Sequence, residues 1–364
     1  MAIRRFGTGN PSQVVAGGSA LRFCSRTIRP PLQPIYEDAM RYVQLGGSGL
    51  KVSRIGLGAW QVGSSEWGWN KDYSEKDIVE AIMRAHELGV NFIDTAEIYG
   101  GGLSEVIVGR AVKEFRDEVV IATKVWVTHL TYDGVIKACE RSLSRLGTDV
   151  IDLYQVHWPN PLIPLSSTMR AMERLVELGK VRAIGVSNFS ATRLRTAQEC
   201  LRREEIVTNQ VKYNLVERGI ERGLLPYCER EKITIIAYSP LAQGFLTAKY
   251  SSSNAPRDLV RRINPLFDPL VLRRAEPLFR LLRDIAARRG ASPDQVALAW
   301  LLKRPNLVAI PGVKNPQQAE SNAAAEGIEL SEEEWEALAR EGAKLSKKGL
   351  LPYLRTPLRI LGAV

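Results

Sequence analysis

Short runs rich in β-branched residues recur along this chain and alternate with stretches whose apolar residues fall at i, i+3, i+4 and i+7. The first spacing marks buried strands and the second amphipathic helices. Strands are predicted at 54–58, 90–95, 119–124, 150–157, 181–187, 206–212, 233–238 and 307–311. Helical stretches such as SEKDIVEAIMRAHELG (74–89) and YDGVIKACERSLSRLG (132–147) lie between them. Ser74 with Asp77 marks a helix start, and Gly89 and Gly147 mark helix ends. Upstream, RYVQLGGSGLKVS (41–53) predicts two short strands around a Gly-rich turn, a hairpin suited to plug a barrel bottom. Strands alternating with helices predict a parallel sheet. Eight strands with eight crossovers predict an α/β fold, the (β/α)8 TIM barrel, with an N-terminal β-hairpin and extra C-terminal helices. No element is left over for a second domain, so 41–364 is read as one barrel with a C-terminal tail.

Four polar residues stand at the ends of these runs. Asp94 and Tyr99 lie in VNFIDTAEIYG, Lys124 ends VVIATK, and His157 follows VIDLYQV. In a barrel the carboxyl ends of the strands converge on one face, which carries the chemistry. An acid, a phenol, an amine and an imidazole in one pocket suit moving a proton to or from an oxygen while hydride arrives from elsewhere. A free phenol has a pKa of ~10. A neighbouring ammonium stabilises the phenolate and would pull that value down. Lys124 is assigned that part, Asp94 keeps the lysine charged and oriented, and His157 polarises the carbonyl. Any one of the four alone would read as a polar strand cap; four at matching places would not.

Composition narrows the function classes. The four cysteines, 24, 139, 200 and 228, have no CxxC spacing and only three histidines exist, so no metal site is expected. No apolar run reaches the ~18–20 residues of a membrane span. The formal charge is +10, but residues 1–36 carry five arginines and no acid, and without them it falls to +5. That leader predicts an organelle transit peptide over 1–40, chloroplast favoured, with mitochondrion or cytoplasm as alternatives. Nucleic acid is not an expected partner, because the basic stretch 257–289 alternates Arg with apolar residues at helical spacing. It reads as a solvated helix face that mildly attracts a phosphorylated cofactor.

Neither GxGxxG after the first strand nor GxxxxGK[ST] is present, so a nicotinamide cofactor would bind through the barrel's own loops. Ser187, Asn188 and Gln210 end strands five and six and are placed to hydrogen-bond a carboxamide. Tyr238 after strand seven is either a stacking partner for the nicotinamide ring or a core aromatic. After strand eight, IPG leads to Lys314, Gln318, Ser321 and Asn322 at the start of a helix, whose free N–H groups attract phosphate. Lys314 is either a ligand for an adenosine 2′-phosphate or a surface lysine. Trp60, Trp67, Trp69, Trp126 and Trp158 lie on top-face loops and predict an aromatic-walled mouth for flat or apolar carbonyl compounds. The loops 59–73 and 242–267 are long enough to act as lids.

These residues resemble the aldo-keto reductases. The segment from Asp94 to Tyr99, Lys124 and His157 is similar to that family's tetrad. GVSNFS (185–190), TNQVKYN (208–214), AYSPLAQG (237–244) and IPGVKNPQQAESN (310–322) follow in the family's order. The likeness runs from about 41 to about 343 and is nearest the branch of chloroplast and cyanobacterial reductases and potassium-channel β subunits. It implies reduction of aldehydes or ketones with NADPH, Tyr99 serving as general acid. It also implies that Ser239, Leu241 and Gly244 wrap the pyrophosphate, and that Gly58, Trp60 and Gly312 join the cofactor site. Gln318 stands where some relatives have Arg. Two other functions stay open: a redox-sensing regulatory subunit that binds NADPH and turns over slowly, and a barrel lyase or isomerase using Lys124 and Tyr99 without a nicotinamide. The residues leave the oligomeric state and the particular carbonyl substrate open.

Overall fold

Eight parallel strands close into a barrel in the computed structural model, which describes residues 40–256 and 258–346. In chain order they are β3 (Leu57–Gly58), β4 (Phe92–Asp94), β5 (Val120–Val125) and β6 (Ile151–Val156), then β7 (Val181–Ser187), β8 (Ile206–Lys212), β9 (Thr234–Tyr238) and β10 (Leu307–Ile310). Each pairs with its sequence neighbour in parallel register. The seam between first and last strands is closed by bridges Ile55↔Ala309 and Gly58↔Gly312. Gly58 N–H donates to Pro311 O at 3.0 Å there. A Cβ on Gly58 would sit 2.9 Å from Ile310 O, so the seam requires glycine. All eight predicted strands are present; the first and second are each three residues shorter than expected, and the fourth, seventh and eighth are shorter by one or two.

The hairpin of β1 (Tyr42–Gln44) and β2 (Lys51–Ser53) pairs Val43 with Val52. Its residues Leu45 and Val52 join Phe92, Val120, Leu153, Val207 and Val308 in the apolar cluster of the barrel interior. The hairpin therefore plugs the bottom, as its sequence predicts. Outside, the crossovers are α1 (Glu75–Glu87), α2 (Leu103–Ala111), α3 (Tyr132–Leu146), α4 (Leu165–Glu177), α5 (Ala191–Glu199) and α6 (Leu224–Arg230). The last crossover is long and carries α7 (Leu259–Ile263), α8 (Pro269–Arg288) and α9 (Pro293–Leu302). After β10 come α10 (Pro316–Ala324) and α11 (Glu332–Ser346).

The predicted caps are made. Ser74 and Asp77 form a reciprocal capping box on α1, and Gly147 ends α3 in the left-handed conformation at φ +65°. Among the described residues no helix is long and apolar enough to cross a membrane. The expected transit peptide and the apolar tail 350–364 lie outside the described residues.

Candidate active site

Strand periodicity builds the site. On β5, Val120 and Ala122 face the barrel interior while Ile121 and Val125 face the helices, so Lys124 is the third inward residue. The same count places Asp94 two residues beyond Phe92, Gln155 two beyond Leu153, and Ser187 four beyond Ala183. Apolar layers fill the lower barrel and polar side chains the upper rim.

Lys124 is fully buried and donates to Asp94 Oδ1 at 2.6 Å, to Thr95 O at 2.8 Å and to the Tyr99 hydroxyl at 3.3 Å. Asp94 Oδ2 accepts from Gln210 Nε2 at 2.7 Å and from Gln155 Nε2 at 3.2 Å. The His157 ring meets Tyr99 edge to face at 5.6 Å and Trp126 at 5.0 Å. The four candidates therefore meet as the sequence implies. Asp94, Tyr99 and His157 line the cavity above the barrel, and Lys124 sits behind them.

The electrostatics differ in one respect from the sequence expectation. Burial raises the Tyr99 phenol above its ordinary value, and the opposing pull of Lys124 does not reverse it. Burial alone would lower Lys124, but Asp94 and Tyr99 outweigh it and the ammonium is held above its usual value. Burial, reinforced by the Lys124 charge, pushes His157 down to about 2, so its imidazole is neutral at working pH. The phenol is thus held protonated and the imidazole held as an uncharged hydrogen-bond donor.

The cavity has a volume of about 1060 Å³. All fourteen cofactor candidates line it: Gly58, Trp60, Ser187, Asn188, Gln210, Tyr238, Ser239, Leu241, Gly244, Gly312, Lys314, Gln318, Ser321 and Asn322. Several are already tied to one another. The Tyr238 hydroxyl donates to Asn188 Oδ1 at 3.0 Å, and Asn188 Nδ2 donates to Ser187 Oγ at 2.9 Å and to His157 O at 3.2 Å. Asn188, Ser239, Ala242 and Gln243 all have positive φ without being glycine. Such strain concentrates where backbone must approach a ligand. The buried Asn322 Nδ2 has no hydrogen-bond partner among the described residues; it lines the cavity, as does Asn315, which caps the start of α10 two turns earlier. A cavity that takes in both a helix start and a buried amide without a partner fits a polar, phosphate-bearing guest.

Lys314 is not a free surface lysine. It is half-buried, donates to Trp67 O at 2.5 Å and lies 4.7 Å from the Tyr73 ring centre. Burial and the nearby Arg261 hold its ammonium below its ordinary value. Gln318 Oε1 accepts from Lys314 N–H at 2.9 Å and so shapes the turn. The two long loops meet over the cavity, where the Arg261 guanidinium lies 5.2 Å from the Trp67 ring centre. Of the five tryptophans expected at the mouth, Trp60, Trp67, Trp126 and Trp158 line the cavity, while Trp69 packs on Tyr73 at 5.6 Å and against the core.

Four contributors were not legible as such. Gln155 faces inward on β6, two residues before His157; the two-residue period gives its facing but does not distinguish it from the rest of the run. Glu97 accepts from Trp126 N–H at 2.6 Å and His129 Nδ1 at 2.9 Å, fixing the loop that carries Trp126. Lys249 and Arg261 line the cavity from the long crossover. Arg261 belongs to the basic stretch read as a solvated face, yet its side chain turns inward and is held by Asp258 and Gln243 O, each at 2.8 Å.

The profile of the aldo/keto reductase family matches residues 54–341. The chain is 47% identical over 300 residues to an uncharacterized oxidoreductase of Mycobacterium tuberculosis, covering 82% of this chain and 92% of that protein. It is 38% identical to an aldo-keto reductase of Bacillus subtilis (81% and 91% covered) and 34% identical to a protein of Escherichia coli named NADH-specific methylglyoxal reductase (80% and 95%). Among solved structures, a thermostable aldo-keto reductase in complex with the inhibitor epalrestat has 40% identity and a TM-score of 0.71, with 83% and 100% covered. An aldo/keto reductase of Klebsiella pneumoniae in complex with NADP and acetate has 34% identity and a TM-score of 0.66, with 81% and 93% covered. These bacterial relatives overturn the chloroplast destination expected from the first residues, and they do not support a nearest likeness to the plastid and channel-associated branch. An arginine-rich, acid-poor run is common to many basic leaders, so its composition specifies no organelle.

Proposed function

The chain belongs to the aldo/keto reductase family, and from that premise we propose that it is an NADPH-dependent reductase of aldehydes or ketones with Tyr99 as its general acid. The observation that carries the reading is the buried Lys124 ammonium, 2.6 Å from Asp94 and 3.3 Å from the Tyr99 hydroxyl. When bound, the reduced nicotinamide supplies hydride to the carbonyl carbon. Tyr99 then gives its proton to the carbonyl oxygen, and Lys124 stabilises the phenolate left behind. Neutral His157 donates a hydrogen bond to the same oxygen without competing for the proton. Asp94 keeps the ammonium charged and aimed at the phenol.

Ser187, Asn188 and Gln210 would hold the carboxamide, Tyr238 the ring face, and the 239–244 backbone the pyrophosphate. Lys314, with Arg261 and Lys249 beside it, favours a cofactor bearing the extra 2′-phosphate. The Klebsiella structure holds NADP and the E. coli relative is named for NADH, so this preference rests on those cations. Trp60, Trp126 and Trp158 at the rim favour flat or apolar carbonyl compounds.

The test is NADPH oxidation by the full chain over a panel that includes aromatic aldehydes, methylglyoxal and pyridoxal, with Tyr99→Phe in parallel. Turnover lost in the variant, with NADPH binding kept, is the expected outcome. Tight binding with no turnover on any aldehyde would instead favour a regulatory NADPH-binding subunit.

A further inference from the structure

Two amides converge on a single oxygen of Asp94, and they differ in what else they reach. Gln210, on β8, lines the cavity; Gln155, on β6, is fully buried and does not. Gln155 is closely packed. Its register partner on β7 is Gly185, where a Cβ would collide with Thr208 Oγ1 and come within 2.9 Å of Gln155 Cγ. Its Oε1 is buried and has no hydrogen-bond partner among the described residues. An unpaired amide oxygen in the barrel interior is unfavourable, and an apolar side chain of similar size would avoid it. The gain that retains glutamine here is therefore the N–H it gives to Asp94.

We infer that Gln155 is a positioning residue of the Asp94–Lys124–Tyr99 relay, holding the Asp94 carboxylate toward Lys124 while Gln210, the second amide on that oxygen, engages the cofactor. The inference rests on the proposed reductase reading and goes beyond it. Gln210 has two amide hydrogens and an oxygen to divide between Asp94 and a nicotinamide carboxamide. A donor on the sealed side of the carboxylate keeps its orientation independent of whether cofactor is bound. It also offsets part of the negative charge that faces Tyr99. The other titratable or charged groups around Tyr99 are Lys124, His157 and Tyr238; Lys124 is the register partner of Gln155 across β5 and β6, and the hydrogen bond that the Gln155 amide makes goes to Asp94.

The experiment is the pH profile of alcohol oxidation with NADP⁺ for the full-length wild type, Gln155→Leu and Gln155→Met, together with NADPH binding by fluorescence. Loss of the amide leaves more uncompensated negative charge beside the phenolate. The acid-side inflection is expected to rise by about half a pH unit in both variants, with the NADPH Kd within about twofold of wild type. Variants that follow the wild-type profile overturn the inference and leave the reductase reading intact. Variants that lose NADPH binding with an unmoved profile, or that fail to give folded protein, make the amide structural and overturn it too. A wild type that turns over no alcohol or aldehyde sinks the underlying reading, and the inference with it.

Discussion

Lys124→Met tests the relay most directly, because one substitution separates its energetic cost from its chemical one. The wild-type charges are 2.6 Å apart with Lys124 fully buried. At an effective dielectric of ~20 their attraction is about 6 kcal/mol before desolvation is counted. Removing one partner of such a pair costs about 3–5 kcal/mol, because the other charge is left buried alone. Asp94 would keep its two amide donors, so the low end, about 3 kcal/mol, is expected. At ~2 °C per kcal/mol for a chain of this size, Tm should drop by about 6 °C. The phenolate also loses its neighbouring cation, and aldehyde reduction should fall on the order of 10²–10³-fold at neutral pH. The decisive control is Asp94→Asn combined with Lys124→Met. Removing the second charge should restore more than half of the lost Tm and none of the activity. A double variant no more stable than the single one would refute the argument that an unpaired buried carboxylate is the source of the cost.

Two further outcomes follow from the same geometry. His157 has a folded-state pKa near 2 against 6.5 for the ordinary imidazole, so its neutral form stabilises the fold fully above pH 6.5 and progressively less as pH falls below it. Urea titrations should show the stability difference between wild type and His157→Gln shrinking by about 1.5–2 kcal/mol from pH 7 to pH 5; a difference that does not change with pH would count against the buried neutral imidazole. Lys314→Met should raise the KM for NADPH by about tenfold and change that for NADH by less than about twofold, since a lost charge-assisted contact to phosphate is worth about 1.5–3 kcal/mol; equal effects on both cofactors would place Lys314 away from the 2′-phosphate.

The strands were readable because each had to bury both faces, one on the barrel interior and one on helices, which leaves near-continuous apolar runs. Polar residues at the ends of such runs stand out, and this is why Asp94, Lys124 and His157 were visible without coordinates. Gln155 obeys the same periodicity but lies inside a run rather than at its end, so nothing in the local pattern set it apart. Arg261 failed for a different reason. Its spacing is that of an exposed helix face, and only the fold of the long crossover brings it against Trp67. The direction of the Tyr99 shift also required the structure. A sequence shows that an ammonium is near a phenol, but whether charge or burial dominates depends on the enclosure of both.

That enclosure has a cause low in the barrel. Leu45 and Val52 of the hairpin seal the bottom, and Val120 with Ala122 fills the layers beneath Lys124. The ammonium therefore has no polar neighbours below it in its own strand's inward row, and its partners all lie at the upper rim. A charge enclosed in this way cannot be screened by water from beneath, so its influence is directed to the groups above: Asp94, which holds it, and Tyr99, which faces the cavity. A plug less apolar would admit water under Lys124, raise the local dielectric and weaken its hold on a phenolate. The hairpin, far from the chemistry in sequence and in space, is on this argument part of what sets the strength of the acid.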